Sequence, residues 1–342
     1  MLCLAWKSDM NLGDVAHKAG VSPATVSRVV NGGKYVKATT RTRVLRAMKE
    51  LRYYPNLHAR SLAGGGTRTF GVIVSNLENP FFVDIFKRIE SLAEAQGYEV
   101  ILAATHYDSA RLHACIKSML GRRVAGIAAI VSEMDPSVAH ELSHAGPPVV
   151  FFDVGQSGKR VTSIKCDFRR GTEQLVEYLY SLGHRRMAFV AYPGHLQSTD
   201  DRRNAFLAVM KRHCAEPHVV VPGSDGFLGG RDAVLQLLKS AFAPTAILCV
   251  NDITAVGVLK ALRDHNIPVP AQMSVTGFDN IALSQFSIPA LTTVNIPRDQ
   301  IGQLTFETLA SGAADATLLG REIQIDPELI VRQSTAPPRP GN

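Results

Sequence analysis

Leu12-Gly-Asp-Val-Ala-His-Lys-Ala-Gly-Val-Ser-Pro-Ala-Thr-Val-Ser-Arg-Val-Val-Asn31, followed at a distance by Tyr53-Tyr-Pro-Asn-Leu-His-Ala-Arg-Ser-Leu62, decides how this chain is read. Asn11 is a suitable N-cap, Asp14 sits where the helix dipole favours an anion, and Leu12, Val15, Ala16 and Ala19 recur at helical spacing. Gly20 ends that helix, because the chain needs positive φ to turn sharply there. Ser22 then caps a second helix, with Pro23 at the first position, where a missing N–H is harmless. Val26, Val29 and Val30 face inward, so Ala24, Thr25, Ser27, Arg28 and Asn31 point elsewhere. A third amphipathic segment follows a Thr39-Thr40 cap, with Val44, Leu45, Met48 and Leu51 inward and Arg41, Arg43, Arg46 and Lys49 outward. Two helices joined by a tight turn and braced by a third form a helix-turn-helix, whose second helix enters the DNA major groove.

Charge is divided along the chain in the same sense. Residues 1–68 hold 12 Lys and Arg against 3 acids, whereas the remaining 25 basic and 27 acidic residues leave the rest slightly negative. The whole-chain surplus of +7 hides this asymmetry, and phosphate binding needs it at one end only.

Pro55 stops the third helix, Asn56 can cap a short new one over Leu57 to Ala63, and Gly64-Gly65-Gly66 is a flexible connector. Fewer than two turns are not helical alone in water, so this piece is expected to fold only with support. Leu62, apolar beside a basic linker, suits a wedge between base pairs from the minor groove; packing under the following domain is the alternative.

At this point the chain resembles the LacI/GalR family of bacterial transcription regulators. The likeness is carried by Asp14-Val-Ala, Val21-Ser, Thr25-Val-Ser-Arg-Val-Val-Asn31, Thr40-Arg41, Val44, Tyr54-Pro-Asn56, Ala59-Arg60 and Leu62. It continues through Gly71-Val-Ile-Val, Asn79-Pro-Phe-Phe82, Gly183-His-Arg-Arg, Asn251-Asp252, Val275-Thr-Gly-Phe-Asp279 and Pro289-Ala-Leu-Thr-Thr-Val294. The resemblance implies that Ala24 and Arg28 face base edges, that Ser22, Thr25, Ser27, Asn31 and Tyr53 hold phosphates, and that Leu62 intercalates with Ala59 beside it. Leu12, Pro23 and Asn56 complete the expected DNA-binding set. Pro23 and Ala24 depart from members with longer polar side chains there, so DNA deformability and methyl contacts must supply part of the reading.

The remaining residues exceed one modal domain and read as two α/β lobes. Strands are expected at Phe70–Val74, Glu99–Ala103, Gly126–Val131, Val149–Phe152, Met187–Ala191, His218–Val221, Ala246–Val250 and Met273–Gly277, alternating with helices as in parallel sheets. In such sheets ligands bind beyond the carboxyl ends of the strands. Asn76 to Phe82, Thr105 to Asp108, Asp153, Asn251-Asp252 and Asp279 follow strands, and Arg202 lies past the Met187–Ala191 strand. By the resemblance, Phe81 or Phe82, Asp153, Arg202, Asn251 or Asp252, and Asp279 line an effector cleft between the lobes of a periplasmic-binding-protein-like core. Carboxylates share hydroxyls bidentately, an arginine fits a carboxylate or hydroxyl pair, and a phenylalanine stacks on a sugar's C–H face, so a sugar or sugar acid is the expected ligand. Plainer roles stay open: helix caps for Asp153, Asp279 and Asn251-Asp252, core for either phenylalanine, and a surface charge cluster for Arg202 with its neighbours.

An enzyme is disfavoured. The 11 histidines show no HExxH spacing, and neither a phosphate loop with Lys-Ser/Thr nor a G-x-S-x-G elbow occurs. A secreted sugar-binding protein would carry an export signal and no DNA head, whereas residues 1–10 contain Lys7 and Asp9 and only a short apolar patch. The five cysteines, Cys3, Cys115, Cys166, Cys214 and Cys249, lack CxxC spacing and read as reduced cytoplasmic thiols, so no metal, disulfide or cofactor is expected. The expected organisation is a disordered extension over 1–9 with Met10 as native start, a DNA-binding domain over 10–54, a hinge and linker over 55–66, an effector-binding and dimerisation domain over 67–335, and a flexible tail over 336–342. Operator DNA, a small-molecule effector and a second copy in a two-fold homodimer are the expected partners, without a membrane and without a leucine-heptad tetramer.

Overall fold

The computed structural model describes residues 10–30, 35–53, 67–133, 142, 146–153 and 158–339. The expectations for the 1–9 extension, Asn31, Asn56, Ala59, Leu62 and the hinge helix lie outside the described residues. The chain divides into two compact units, Met1–Thr67 and Arg68–Asn342.

The first unit is built from α1 (Leu12–Ala19), α2 (Pro23–Val30) and α3 (Ala38–Glu50). Asn11 caps α1 by accepting from the amides of Gly13 at 2.7 Å and Asp14 at 3.2 Å, and the Asp14 carboxylate accepts from the Asn11 amide at 2.7 Å in return. Gly20, at φ 61°, takes the left-handed turn. Val15, Ala16, Ala19, Val26, Val29, Val44 and Ala47 form the buried core, with Leu12, Val30, Met48, Leu51 and Tyr53 packed partly against it. Two expectations are corrected for α3. It starts at Ala38 without a side-chain cap, so Thr39 and Thr40 lie inside its first turn, and Leu45 is 52% exposed because Ala47 holds the inward position.

The second unit opens with β1 (Thr69–Val74), α4 (Pro80–Ala95), β2 (Glu99–Ala104), α5 (Ser109–Gly121), β3 (Gly126–Ile130), β4 (Val149–Phe152) and β5 (Val161–Cys166). It continues with α6 (Phe168–Ser181), β6 (Arg186–Val190), α7 (Gln197–Arg212), β7 (Glu216–Val220), α8 (Gly226–Lys239), β8 (Ala246–Cys249), α9 (Asp252–Asp264) and β9 (Ser274–Thr276). Last come α10 (Ala282–Phe286), β10 (Thr293–Asn295), α11 (Arg298–Ala314), β11 (Glu322–Ile325) and β12 (Glu328–Ile330).

One lobe holds a six-stranded sheet in the order β11-β5-β4-β3-β1-β2, the other a four-stranded sheet in the order β7-β6-β8-β9, and every pairing in both is parallel. The strands are apolar and nearly continuous in burial, as sheets covered on both faces require. Expected strand bounds agree within two residues. β5, β10, β11 and β12 were not expected; β5 reads Val-Thr-Ser-Ile-Lys-Cys, too polar for an apolar run. Through β5 to α6, β10 to α11 and β11 to β12 the chain passes three times between the lobes, with β10 and β12 paired antiparallel. Such short parallel connections are where a two-lobed body hinges.

The tail expected from 336 is corrected over its described part. Ala336 O accepts from His184 Nε2 at 3.0 Å and from Ser274 Oγ at 3.1 Å, and Arg339 Nε donates to Ala271 O at 2.8 Å. The side chains of His184 and Ser274 and the Ala271 carbonyl hold this segment in place, which its proline-rich composition does not reveal. Among the described residues no helix is long and apolar enough to cross a membrane.

Candidate functional site

On α2 the buried Val26 and Val29 fix the orientation of the helix, and the opposite side carries exposed Ser22, Pro23, Ala24 and Arg28 with half-buried Thr25 and Ser27. Ala24 and Arg28 are four apart and share one face. Ser22 Oγ accepts from the Thr25 amide at 3.2 Å and pairs with Thr25 Oγ1 at 3.0 Å, so these hydroxyls brace the helix start. Tyr53 packs its ring partly on the head core and Leu12 does the same, leaving each only an edge for an outside contact.

Between the lobes of the second unit lies a cavity of about 290 Å³. Phe81, Phe82, Asp153, Arg202, Asn251 and Asp279 all reach its wall. Asp252 does not, and that expectation is corrected. Its fully buried carboxylate accepts from the Ile281 amide at 2.8 Å and from Thr293 Oγ1 at 2.6 Å, tying α9 to the loop after β9 and to β10. Asn251 combines two roles, since its side chain caps α9 by accepting from the Thr254 amide at 2.9 Å while lining the cavity. Asn79 likewise caps α4.

Arg202, on the second turn of α7, is only 7% exposed. Its Nη1 donates to Val250 O at 2.7 Å and lies 3.8 Å from Asp279 Oδ1. The guanidinium is held between the rings of Phe168 and Phe278, at 4.4 and 4.2 Å from their centroids, while buried Nε has no hydrogen-bond partner among the described residues. A buried donor left without an acceptor is costly. Phe81, Phe152, Phe168 and Phe278 continue as a run of rings, 5.9, 6.4 and 6.0 Å apart, across the floor from one lobe to the other.

Backbone conformation concentrates strain at the rim. Tyr107 and Asp153 sit at φ 60° and 63°, and Asp279 at 105°, outside the left-handed well where aspartate is common. Arg298 holds that loop by donating to the carbonyls of Asp279 and Asn280, and its Nε faces Asp84 at 3.2 Å.

Burial pushes the Asp153 carboxyl up to about 7 against the pull of Arg202 and the Cys166 amide, and pushes Asp279 up to about 6 against Arg202 and Arg298. Both bind protons more tightly folded than unfolded. Their stabilising contribution is therefore complete below the ordinary carboxylate range and is lost as pH rises through about 6 to 7. Asp153→Asn is expected to flatten the fall in melting temperature of the ligand-free protein between pH 5 and pH 8, by scanning fluorimetry at both ends of that interval. An identical slope in variant and parent would remove Asp153 as its source.

Sequence reasoning missed Phe168, Tyr192, Ser198 and Phe227 in the wall. Tyr192 follows β6 closely, and the rule of carboxyl ends could have found it. Burial raises the Tyr192 hydroxyl to about 12, and its ring lies 5.7 Å from that of Tyr107 across the cleft.

The first unit matches the family model for bacterial regulatory proteins, lacI family, over residues 11–56, and residues 176–335 match a periplasmic binding protein-like domain. The ribose operon repressor of Escherichia coli (strain K12) is 32% identical over 94% of this chain and 98% of that protein. The HTH-type transcriptional repressor PurR of Erwinia tasmaniensis is 34% identical over 94% and 96%. Among solved structures, the Lac repressor dimer bound to operator and the anti-inducer ONPF superposes with a TM-score of 0.81 at 30% identity, covering 96% of this chain and 99% of that one. A LacI family transcriptional regulator from Enterococcus faecium with bound ribose gives 0.71 at 26% identity, covering 79% and 99%.

Proposed function

The chain belongs to the lacI family of bacterial regulatory proteins, and from that premise we propose that α2 reads operator bases through Arg28 while a small polyhydroxylated effector in the interlobe cavity sets operator affinity. It is an effector-controlled, DNA-binding transcriptional repressor and not an enzyme. The carrying observation is the buried Arg202 beside Asp279 in the wall of an interlobe cavity, in a chain whose basic charge is gathered on its helix-turn-helix.

Ser22, Thr25, Ser27 and Tyr53 hold phosphates on either side of Arg28, and Leu12, Pro23 and Ala24 complete the surface. Asn31, Asn56, Ala59 and Leu62 join this set on the family resemblance alone. Asp153, Asp279 and Asn251 orient effector hydroxyls, Arg202 donates to an effector oxygen, and Phe81 or Phe82 covers a C–H face. A two-fold homodimer presents two heads to a near-palindromic operator, in the cytoplasm where the genome lies. Lobe closure changes how the two heads are spaced, and linkage makes operator and effector alter each other's affinity by the same factor.

The test is fluorescence anisotropy of the full chain on duplexes from upstream of neighbouring genes, with effectors found by thermal-shift screening. Sequence-preferring binding that a thermal-shift hit changes is expected. Equal affinity for scrambled duplex, unaffected by any hit, would sink the reading.

A further inference from the structure

Charge inside the cleft narrows the effector beyond a sugar or sugar acid. Resting on the effector reading of the cavity, we infer that the cleft excludes anions and takes an uncharged polyol of monosaccharide size. Among the described residues that line the cavity, Arg202 is the only basic side chain, whereas Glu78, Asp153, Asp225 and Asp279 are acids. Glu78 and Asp225 are exposed and screened, so the decision lies with buried Asp279 and half-buried Asp153.

Buried Asp279 and half-buried Asp153 both lie in the field of one guanidinium. Asp279 lies 3.8 Å from Arg202 Nη1, and Asp153 also feels the Arg202 charge. Two further cations pull on these carboxyls without lining the cavity, and both are paired with other acids: Arg298, which acts on Asp279, with Asp84 at 3.2 Å, and Lys165, which acts on Asp153, with Glu322 at 3.0 Å. With Asp153 and Asp279 ionised, as at pH 8, a ligand carboxylate or phosphate would be a third anion beside the one cation that lines the cavity, where like charges repel strongly. An uncharged polyol meets the same groups without that penalty. Its hydroxyls donate to Asp153 and Asp279, and one of its oxygens accepts from the Arg202 guanidinium. The cavity, about 290 Å³, lies at the small end of ligand pockets, about 300–1,000 Å³, which suits a monosaccharide.

An acid can enter only if a proton enters with it. Asp153 faces Arg202 and Asp201 from α7 and Lys165 and the Cys166 amide from β5; Asp279 faces Arg202, Arg298 and Asp252. With burial already holding Asp153 at about 7, an incoming anion makes it the first group to protonate. Any aldonate binding is therefore stronger at pH 6 than at pH 8.

The experiment is calorimetry on the full chain at pH 8 and pH 6 with matched pairs: D-ribose and D-ribonate, D-xylose and D-xylonate, D-glucose and D-gluconate, D-galactose and D-galactonate. At pH 8 at least one aldose binds and its aldonate binds at least tenfold more weakly, with the gap closing at pH 6 and in Asp153→Asn. An aldonate that equals or exceeds its aldose at pH 8 overturns the inference while leaving the cleft an effector site. Heat from none of the eight compounds overturns the effector reading of the cavity and the inference with it.

Discussion

Replacing Arg28 with alanine is expected to abolish the preference for operator over scrambled duplex while leaving salt-sensitive nonspecific binding in place. Arg28 is the only charged side chain on α2, exposed on the side opposite buried Val26 and Val29. Its neighbours on that face are poor readers of bases. Pro23 and Ala24 have no polar side-chain atoms, and the Ser22 and Thr25 hydroxyls pair with each other at 3.0 Å. A guanidinium that grips guanine O6 and N7 contributes about 1–3 kcal/mol of discrimination, and a homodimer applies it at both half-sites. Losing it from both heads therefore lowers the operator-to-scrambled ratio by about thirtyfold to about twenty-thousandfold.

Nonspecific affinity should persist, because Arg41, Arg43, Arg46 and Lys49 remain in the same unit. Stability should be unaffected, since the side chain is exposed. Arg28→Lys keeps the charge and loses the planar fork, so it should retain the salt slope and not the preference. Anisotropy with both duplexes at two salt concentrations separates these terms. An unchanged ratio in Arg28→Ala would take Arg28 off the base edges.

The head was legible because its information is local. Caps, a Gly turn and valines at helical spacing each depend on a few neighbouring residues, and the packed core uses Val15, Ala16, Ala19, Val26 and Val29 as read. The error in α3 came from weighting Leu45 by its hydrophobicity, whereas close helix packing selected the small Ala47. In the lobes, continuous apolar strands announced themselves and β5 did not, because its Thr162, Ser163 and Lys165 break the pattern while the strand is held between two neighbours.

The rule of carboxyl ends found Asp153, Asp279 and Asn251 without any knowledge of contacts. It could not separate Asn251 from Asp252. Adjacent residues at a helix start point about 100° apart, and only the fold decides which of them meets the cavity and which meets Ile281 and Thr293. Nor could it supply protonation behaviour, since the burial that raises Asp153 and Asp279 is assembled from distant segments.

Removing the Arg202 guanidinium is expected to uncouple the repressor from its effector. A hydrogen bond from a charged group contributes about 1.5–3 kcal/mol, so losing one between Arg202 and the effector should lower affinity by about tenfold to a hundredfold. Loss of order adds to this, because Phe168 and Phe278 hold the guanidinium flat and Val250 O fixes its Nη1. Arg202→Ala also removes the largest lowering pull on Asp279 and Asp153, so both carboxyls rise further. That change alone could weaken folding. Arg202→Lys keeps a positive charge in the same place and loses the fork and the flat stacking, so it separates charge balance from ligand contact. Both variants should bind operator without effector as the parent does, since the head is a separate compact unit. Neither should shift operator affinity at effector concentrations that saturate the parent, because a ligand moves an equilibrium only by its differential affinity for the two states. Anisotropy titrations of operator across a range of effector concentrations read both quantities at once. If Arg202→Lys folds, and its operator affinity moves by the parent's factor at the parent's effector concentration, Arg202 does not contact the effector and the cavity assignment loses its central residue.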